Sequence, residues 1–187
     1  MSIRLRGAHV TLRPFRDGDF EVLWAEETVD RGAFQAPVPD DEAFRSRLRA
    51  RVEASGSWAR NELMLAVESG GALAGDVQAR RDDDTMPPGL FEVGIGMFRA
   101  CRGRGLGTEA LSLLTEYLFL DEFAHRIQLS TDVENVAMRR SAEMAGYSFE
   151  GVLRGYWPTP GGPARDYAMY GRTRDDHEGS DRWTPAS

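Results

Sequence analysis

The sequence predicts one domain of the α/β or α+β class, with helices laid on a mixed sheet. Three observations carry this. Segments of strand periodicity and of helix periodicity follow one another to about residue 174, with no internal repeat and no second domain. At 187 residues, 41% apolar and 28% charged, the chain can bury one real core and is too polar for a membrane protein. Residues 90–120 then spell a strand, a glycine-rich loop and a helix in direct succession.

Taken in order, Val10 to Arg13 alternates and stops at Pro14, a first strand. Asp17 is placed to cap a helix through Phe20, Leu23 and Trp24 to about Thr28. Residues 31–39 read as a loop. Asp40 or Asp41 opens a second helix that carries Phe44, Leu48 and Val52 at four-residue spacing and closes at Gly56. Leu63 to Glu68 and Ala72 to Arg81 are strands joined through Ser69-Gly70-Gly71, a hairpin signal. Arg80 to Gly89 is a polar, Pro-containing loop expected to be solvated and mobile. The strand Leu90 to Phe98 contains Gly94 and Gly96, which imply a bulge or a close backbone approach by a ligand. The helix from Leu106 to about Leu120 turns Leu106, Ala110, Leu113, Leu114, Tyr117 and Leu118 to one side. His125 to Val133 is a strand, Asn135 to Ala145 a helix ending at Gly146, and Tyr147 to Leu153 and Asp166 to Thr173 are closing strands around a loop from Tyr156 to Arg165. The domain is expected to occupy residues 1–174, with 175–187 a frayed polar tail.

Composition excludes several function classes. The N-terminus MSIRLRGAHV has no apolar signal region, and the longest near-apolar run, Ala110 to Leu120, is far too short to span a bilayer, so a cytoplasmic location with no membrane partner is expected. A net charge of −7 argues against nucleic acid as a partner. Cys101 is the one cysteine, and His9, His125 and His177 lack ligand spacing, so no metal is expected. All 23 basic residues are Arg, which rules out chemistry through a lysine Schiff base.

The loop Arg102-Gly103-Arg104-Gly105-Leu106-Gly107 leads into Thr108 and the helix. Its glycines remove every Cβ that would hold a bulky anion off the backbone, and the unpaired N–H groups of the helix start attract negative charge. A P-loop requires a Lys, and a dinucleotide fingerprint requires a glycine where Thr108 stands. What remains is (Arg or Gln)-x-x-Gly-x-Gly between strand and helix.

That pattern resembles the acetyl-CoA pyrophosphate loop of the GCN5-related N-acetyltransferase (GNAT) superfamily, with Arg102, Gly105 and Gly107 on the defining positions. Glu92, ten residues before Arg102, is similar in placement to the E-(I/V)-G stretch of RimJ/RimL-type members. Asn135, Arg140, Glu143, Gly146 and Tyr147 resemble that subgroup's N-x-x-S-x-R-x-x-E-x-x-G-(F/Y) segment, except that its Ser is Met138 here. The resemblance covers most of the chain and is strongest from about 90 to 172. It implies a mixed, mostly antiparallel sheet of about seven strands flanked by about four helices.

The same resemblance implies transfer of an acetyl group from acetyl-CoA to a primary amine in a ternary complex. It assigns the pyrophosphate to residues 102–108, namely Arg102, Gly103, Arg104, Gly105, Leu106, Gly107 and Thr108. It assigns pantetheine to the strand-edge backbone of Gly96, Met97 and Phe98 and to Asn135, and Arg139 and Arg140 are the candidates for the adenosine phosphates. Glu92 is the candidate general base, because only the neutral amine has a lone pair to attack with. Many relatives use a Tyr four residues before the helix-ending Gly to protonate the leaving thiolate; that position is Ala142, so the acid is unassigned. Cys101 invites an acyl-cysteine route, but no His is near it in sequence and the family transfers directly. A different acyl donor such as succinyl-CoA, a non-catalytic acyl-CoA sensor and a module for another nucleotide are the alternatives. The acceptor is open between a protein N-terminus and a small-molecule amine, and a homodimer is compatible with the analogy.

Overall fold

The computed structural model describes residues 2–29, 42–82, 84–159 and 161–180. The expected loop 31–39, the helix opening at Asp40 or Asp41, and residues 181–187 lie outside them. In chain order the elements are β1 (Leu5–Arg6), β2 (Thr11–Arg13), α1 (Asp19–Val29), α2 (Glu42–Glu53), β3 (Glu62–Ser69), β4 (Ala72–Arg80), β5 (Leu90–Met97), α3 (Leu106–Leu120), β6 (Arg126–Asp132), α4 (Val136–Met144), β7 (Ser148–Trp157), β8 (Arg165–Thr173) and α5 (Arg174–Ser180). They form one eight-stranded sheet in the order β1-β2-β3-β4-β5-β6-β8-β7. Every neighbouring pair is antiparallel except β5 and β6. The expected fold class holds, with the small β1 as the strand the periodicity did not reveal. Among the described residues no helix is long and apolar enough to cross a membrane.

Alternation along the strands sends side chains to two apolar layers. Leu63, Leu65 and Val67 of β3, Phe91 and Val93 of β5, and Ile127 and Leu129 of β6 pack with Leu111, Leu114 and Leu118 of α3 and Ala142 of α4. Met64 points the other way, into a smaller cluster with Phe20 and Leu23 of α1 and Leu48 and Val52 of α2. So α3 and α4 cover one face and α1 and α2 the other. Thr115, a polar break in the α3 run, is buried because its hydroxyl meets the Tyr147 hydroxyl at 2.6 Å. Burial pushes the Tyr147 phenol up. Gly146 (φ 83°) ends α4, and the Tyr147 N–H donates back to the Ala142 carbonyl at 3.0 Å.

Three local expectations are corrected. Helix α1 begins at Asp19 and not at Asp17, because Gly18 takes φ 87° and breaks the chain direction between them. The segment expected to fray after residue 174 is helical to 180. Arg174 donates to the carbonyls of Ala124 (3.0 Å) and Phe119 (2.8 Å), and His177 stacks on Phe119 with centroids 4.7 Å apart, so α5 closes the C-terminal end of α3. The strand β7 runs on to Trp157, inside the expected loop, because Trp157 and Tyr156 both pack on Tyr167 of β8.

A buried ion cluster ties β2 to β3 and α1. Arg13, 2% exposed, donates to Glu68 (2.7 Å), Asp19 (2.6 Å) and the Pro14 carbonyl (2.9 Å). The hydrogen bond from Arg13 holds the Glu68 carboxyl below its usual range, against the opposing effect of burial. A lowered native pKa means the stabilisation is complete above the unfolded Glu value of about 4.3 and is lost as pH falls through the native value. Thermal melts are therefore expected to show Tm dropping below about pH 4. Arg13→Met is expected to cost about 3 kcal/mol at neutral pH, since it leaves two carboxylates to the exposed Arg16. An R13M protein melting like the parent would refute this.

Candidate active site

The site is organised by the one parallel pair of strands. β5 and β6 are joined only over Leu90↔Arg126, Phe91↔Ile127 and Glu92↔Gln128. Beyond Glu92, β5 keeps its full register with β4 to Gly75↔Met97, and β6 keeps its register with β8 to Asp132↔Tyr167. The two strands therefore part, and a wedge opens toward their carboxyl ends, the place where open α/β sheets receive ligands.

Backbone polarity along the wedge follows from one bond. The Phe98 N–H donates to the Ala74 carbonyl at 2.9 Å, toward β4. Alternation then gives Gly94 and Gly96 amides to β4 as well and leaves those of Val93, Ile95 and Met97 on the wedge side. Of the three expected strand-edge residues, Met97 alone presents its amide there; Gly96 and Phe98 do not. The Met97 carbonyl accepts from Arg102 Nε at 2.8 Å. The expected bulge at Gly94 or Gly96 is absent from β5; the register shift lies between Val67 and Glu68 of β3. The glycines answer to crowding from β4: a Cβ on Gly94 would meet Gln78, and one on Gly96 would lie 3.0 Å from Asp76 Oδ1.

At the mouth of the wedge the chain makes a 3-10 turn, Arg99–Cys101, and reaches the glycine loop. Gly103 (φ 71°) and Gly105 (φ 77°) are both left-handed, and a Cβ on either would face open space. Gly105 is the N-cap of α3 without a side-chain cap, and the first helical bond runs from Glu109 N–H to its carbonyl at 3.1 Å. The amides of Leu106, Gly107 and Thr108 thus precede the first helical donor, at the positive end of a 15-residue helix. Arg102 and Arg104 are exposed beside them. Gly107 lets α3 close on the strand, its Cβ position lying 3.3 Å from Met97. Glu109, one turn on, is spent elsewhere: it accepts from the His9 and Val10 amides at 2.8 and 3.2 Å. Cys101 is half-buried against the α3-side core.

The other wall carries Asn135 at the start of α4. Its Oδ1 accepts from the Met138 N–H and its Nδ2 donates to Thr131 Oγ1, both at 3.2 Å, so the side chain caps the helix and is fixed. Arg140 is exposed on α4. Its neighbour Arg139 turns inward to Tyr170 (3.1 Å) and the Val133 carbonyl (3.1 Å) and belongs to the scaffold.

Glu92 lies where the strands part, on the face opposite α3. It accepts from Arg80 Nη2 at 2.8 Å, across the β4–β5 pair. Register puts Asp76, Gln78 and Arg80 of β4 beside Gly96, Gly94 and Glu92. Asp76 is 7% exposed. The sequence reading did not single out these three, although the alternation Asp76-Val77-Gln78-Ala79-Arg80 was a usable signal that they share a face. Among the described residues no group of His, Cys, Asp or Glu could hold a metal ion.

Residues 9–148 match the family model described as Acetyltransferase (GNAT) domain. The chain belongs to the GNAT acetyltransferase family. A stretch of 99 residues is 30% identical to the "Kanamycin resistance protein" of Rhizobium radiobacter and covers 50% of this chain and 88% of that one. A stretch of 62 residues is 34% identical to the "Probable N-acetyltransferase YjcK" of Bacillus subtilis (strain 168) and spans 33% of this chain and 34% of that protein, about a third of its length. In fold the GNAT chain is similar to Mycobacterium smegmatis RimJ, solved in complex with CoA-disulfide, with a TM-score of 0.71 at 20% identity, covering 97% of this chain and 94% of that one.

Proposed function

We propose that this GNAT protein is an N-acetyltransferase of the RimJ/RimL type, which moves the acetyl group of acetyl-CoA directly to a primary amine. The parting of β5 from β6 after Glu92 carries the reading, because the gap runs into a bare helix start lined with left-handed glycines. Amides of Leu106, Gly107 and Thr108 would hold the pyrophosphate, with Arg102, Arg104 and Arg140 as flanking charge. Gly103 and Gly105 keep that seat clear. The wedge-side edge of β5, ending at Met97, would pair with pantetheine, and Asn135 would flank it from the other wall.

Chemistry then falls to the α1 and α2 face. The amine nitrogen bonds to the thioester carbonyl carbon, the C–S bond breaks, and CoA leaves as a thiolate. Glu92 accepts the proton that the amine must lose, directly or through one water. A backbone N–H on the β5 edge would stabilise the developing oxyanion. The likeness to a kanamycin resistance protein brings a small-molecule acceptor into view beside a protein N-terminus.

Isothermal titration is the direct test. CoA and acetyl-CoA are expected to bind, and Gly105→Val, whose side chain fills the anion seat and whose backbone is strained at φ 77°, is expected to weaken both about 10- to 100-fold. No binding of either at millimolar concentration would remove the proposal.

A further inference from the structure

A cavity of about 670 Å³ opens beside Glu92 on the α1 and α2 face. Its walls bring four guanidinium groups, Arg51, Arg60, Arg80 and Arg81, against three carboxylates, Glu62, Asp82 and Glu92. Among the described residues the lining thus holds one more guanidinium than carboxylate. Two of these guanidiniums are committed within the wall: Arg51 is bidentate on Glu62 (2.8 and 2.7 Å), and Arg80 holds Glu92. Arg81 lies over the Trp58 ring, 4.5 Å from its centroid, and is ion-paired with Glu122 at 3.3 Å, outside the cavity lining. Arg60 makes no ion pair among the described residues.

The placement of Arg60 is costly. Ala59 and Glu62 exchange both backbone hydrogen bonds (2.8 and 3.0 Å), so Arg60 and Asn61 form a two-residue turn with φ of 49° and 64°. Such a turn suits Asn-Gly, and a left-handed Arg costs about 1 kcal/mol. Asn61 has its carbonyl bonded to the Arg81 N–H at 2.9 Å, which pins the turn to the end of β4, so that Arg60 and Arg81 both border the cavity.

We infer that this cavity receives the acceptor, and that the acceptor is an amine carrying an anionic group, a carboxylate or a phosphate. The inference rests on the acetyl-transfer reading above. The anion docks on Arg60 and Arg80 while the nitrogen lies at Glu92. When Arg80 turns to the anion it releases the Glu92 carboxylate, so the correct acceptor frees the base that deprotonates it. A polycation such as kanamycin would set an ammonium group against Arg60 where the anion docks, a repulsion that selects against it.

The test is titration of matched amines into the complex of the whole chain with CoA. β-Alanine is compared with its amide, and phosphoethanolamine with ethanolamine; kanamycin and spermidine supply the polycations. The anionic member of at least one pair is expected to bind about 10- to 100-fold more tightly, and which pair shows it tells carboxylate from phosphate. Arg60→Asn, which suits the left-handed turn and keeps the fold, is expected to abolish that preference with CoA affinity unchanged. Anionic members binding no better than their neutral partners, tighter binding of the polycations, or a preference that survives R60N would overturn the inference. If CoA itself fails to bind, the acetyl-transfer reading falls first.

Discussion

Glu92→Gln is expected to lower kcat/KM by about 10²- to 10⁴-fold on the best acceptor, with CoA affinity unchanged. The argument is one of placement. Glu92 is the last β5 residue paired with β6, at Gln128, so its carboxylate stands where the strands separate and on the face away from α3. An amine is mostly an ammonium at neutral pH and cannot attack until a proton leaves, and a carboxylate at the split is in position to take it. Gln keeps the size of the side chain and an oxygen to accept from Arg80, so the cross-strand contact at 2.8 Å persists and the fold is not at issue. Thiol release measured at saturating acetyl-CoA, beside a CoA titration of the same variant, separates rate from binding. An E92Q enzyme as fast as the parent would remove Glu92 from the chemistry. A parent protein that binds CoA and acetylates no amine would favour the sensor alternative instead.

What could be read from the sequence was what is local. The glycine loop needs only contiguous residues: Gly103 and Gly105 are left-handed and Gly105 caps a helix, as strand-loop-helix spacing requires. Glu92 was singled out by the resemblance, ten residues upstream of Arg102, and its part in the chemistry is a proposal. The partner of Glu92 was not legible. Arg80 meets it through β4–β5 register across a polar connection, and no local period fixes which residues of two strands lie opposite. The cavity proposed for the acceptor is less legible still, since it joins Arg51 of a helix, Arg60 of a turn and Arg80 of a strand. Strand parity decided the amides: Gly96 and Phe98 share a side, and a bond from Phe98 to Ala74 assigns that side to β4. Residues 174–180 were misjudged because their order comes from contacts of Arg174 and His177 with α3, about 55 residues earlier, and not from their own polar composition.

Gly75 and Gly96 face each other across the β4–β5 pair, offset by one residue, and mutation to Ala should separate them sharply. A Cβ at Gly75 would be driven into the Gly96 carbonyl oxygen and lie 3.0 Å from the Met97 Cα. Both atoms are main chain, and Gly75 sits at φ 157°, so one strand has to move. At Gly96 the nearest atom is Asp76 Oδ1, at 3.0 Å, and a side-chain carboxylate can swing by a few tenths of an ångström. Gly75→Ala is therefore expected to cost about 3 kcal/mol and lower Tm by about 6–12 °C, whereas Gly96→Ala stays close to the parent. The larger consequence is functional. The strand displaced by Gly75→Ala is the one whose Met97 amide and Met97–Arg102 contact frame the wedge, so CoA affinity is expected to fall together with stability. Thermal melts and CoA titrations on the two variants provide the check. Gly75→Ala binding CoA as the parent does, or Gly96→Ala melting lower than Gly75→Ala, would mean that the β4–β5 spacing does not set the edge on which the proposed cofactor lies.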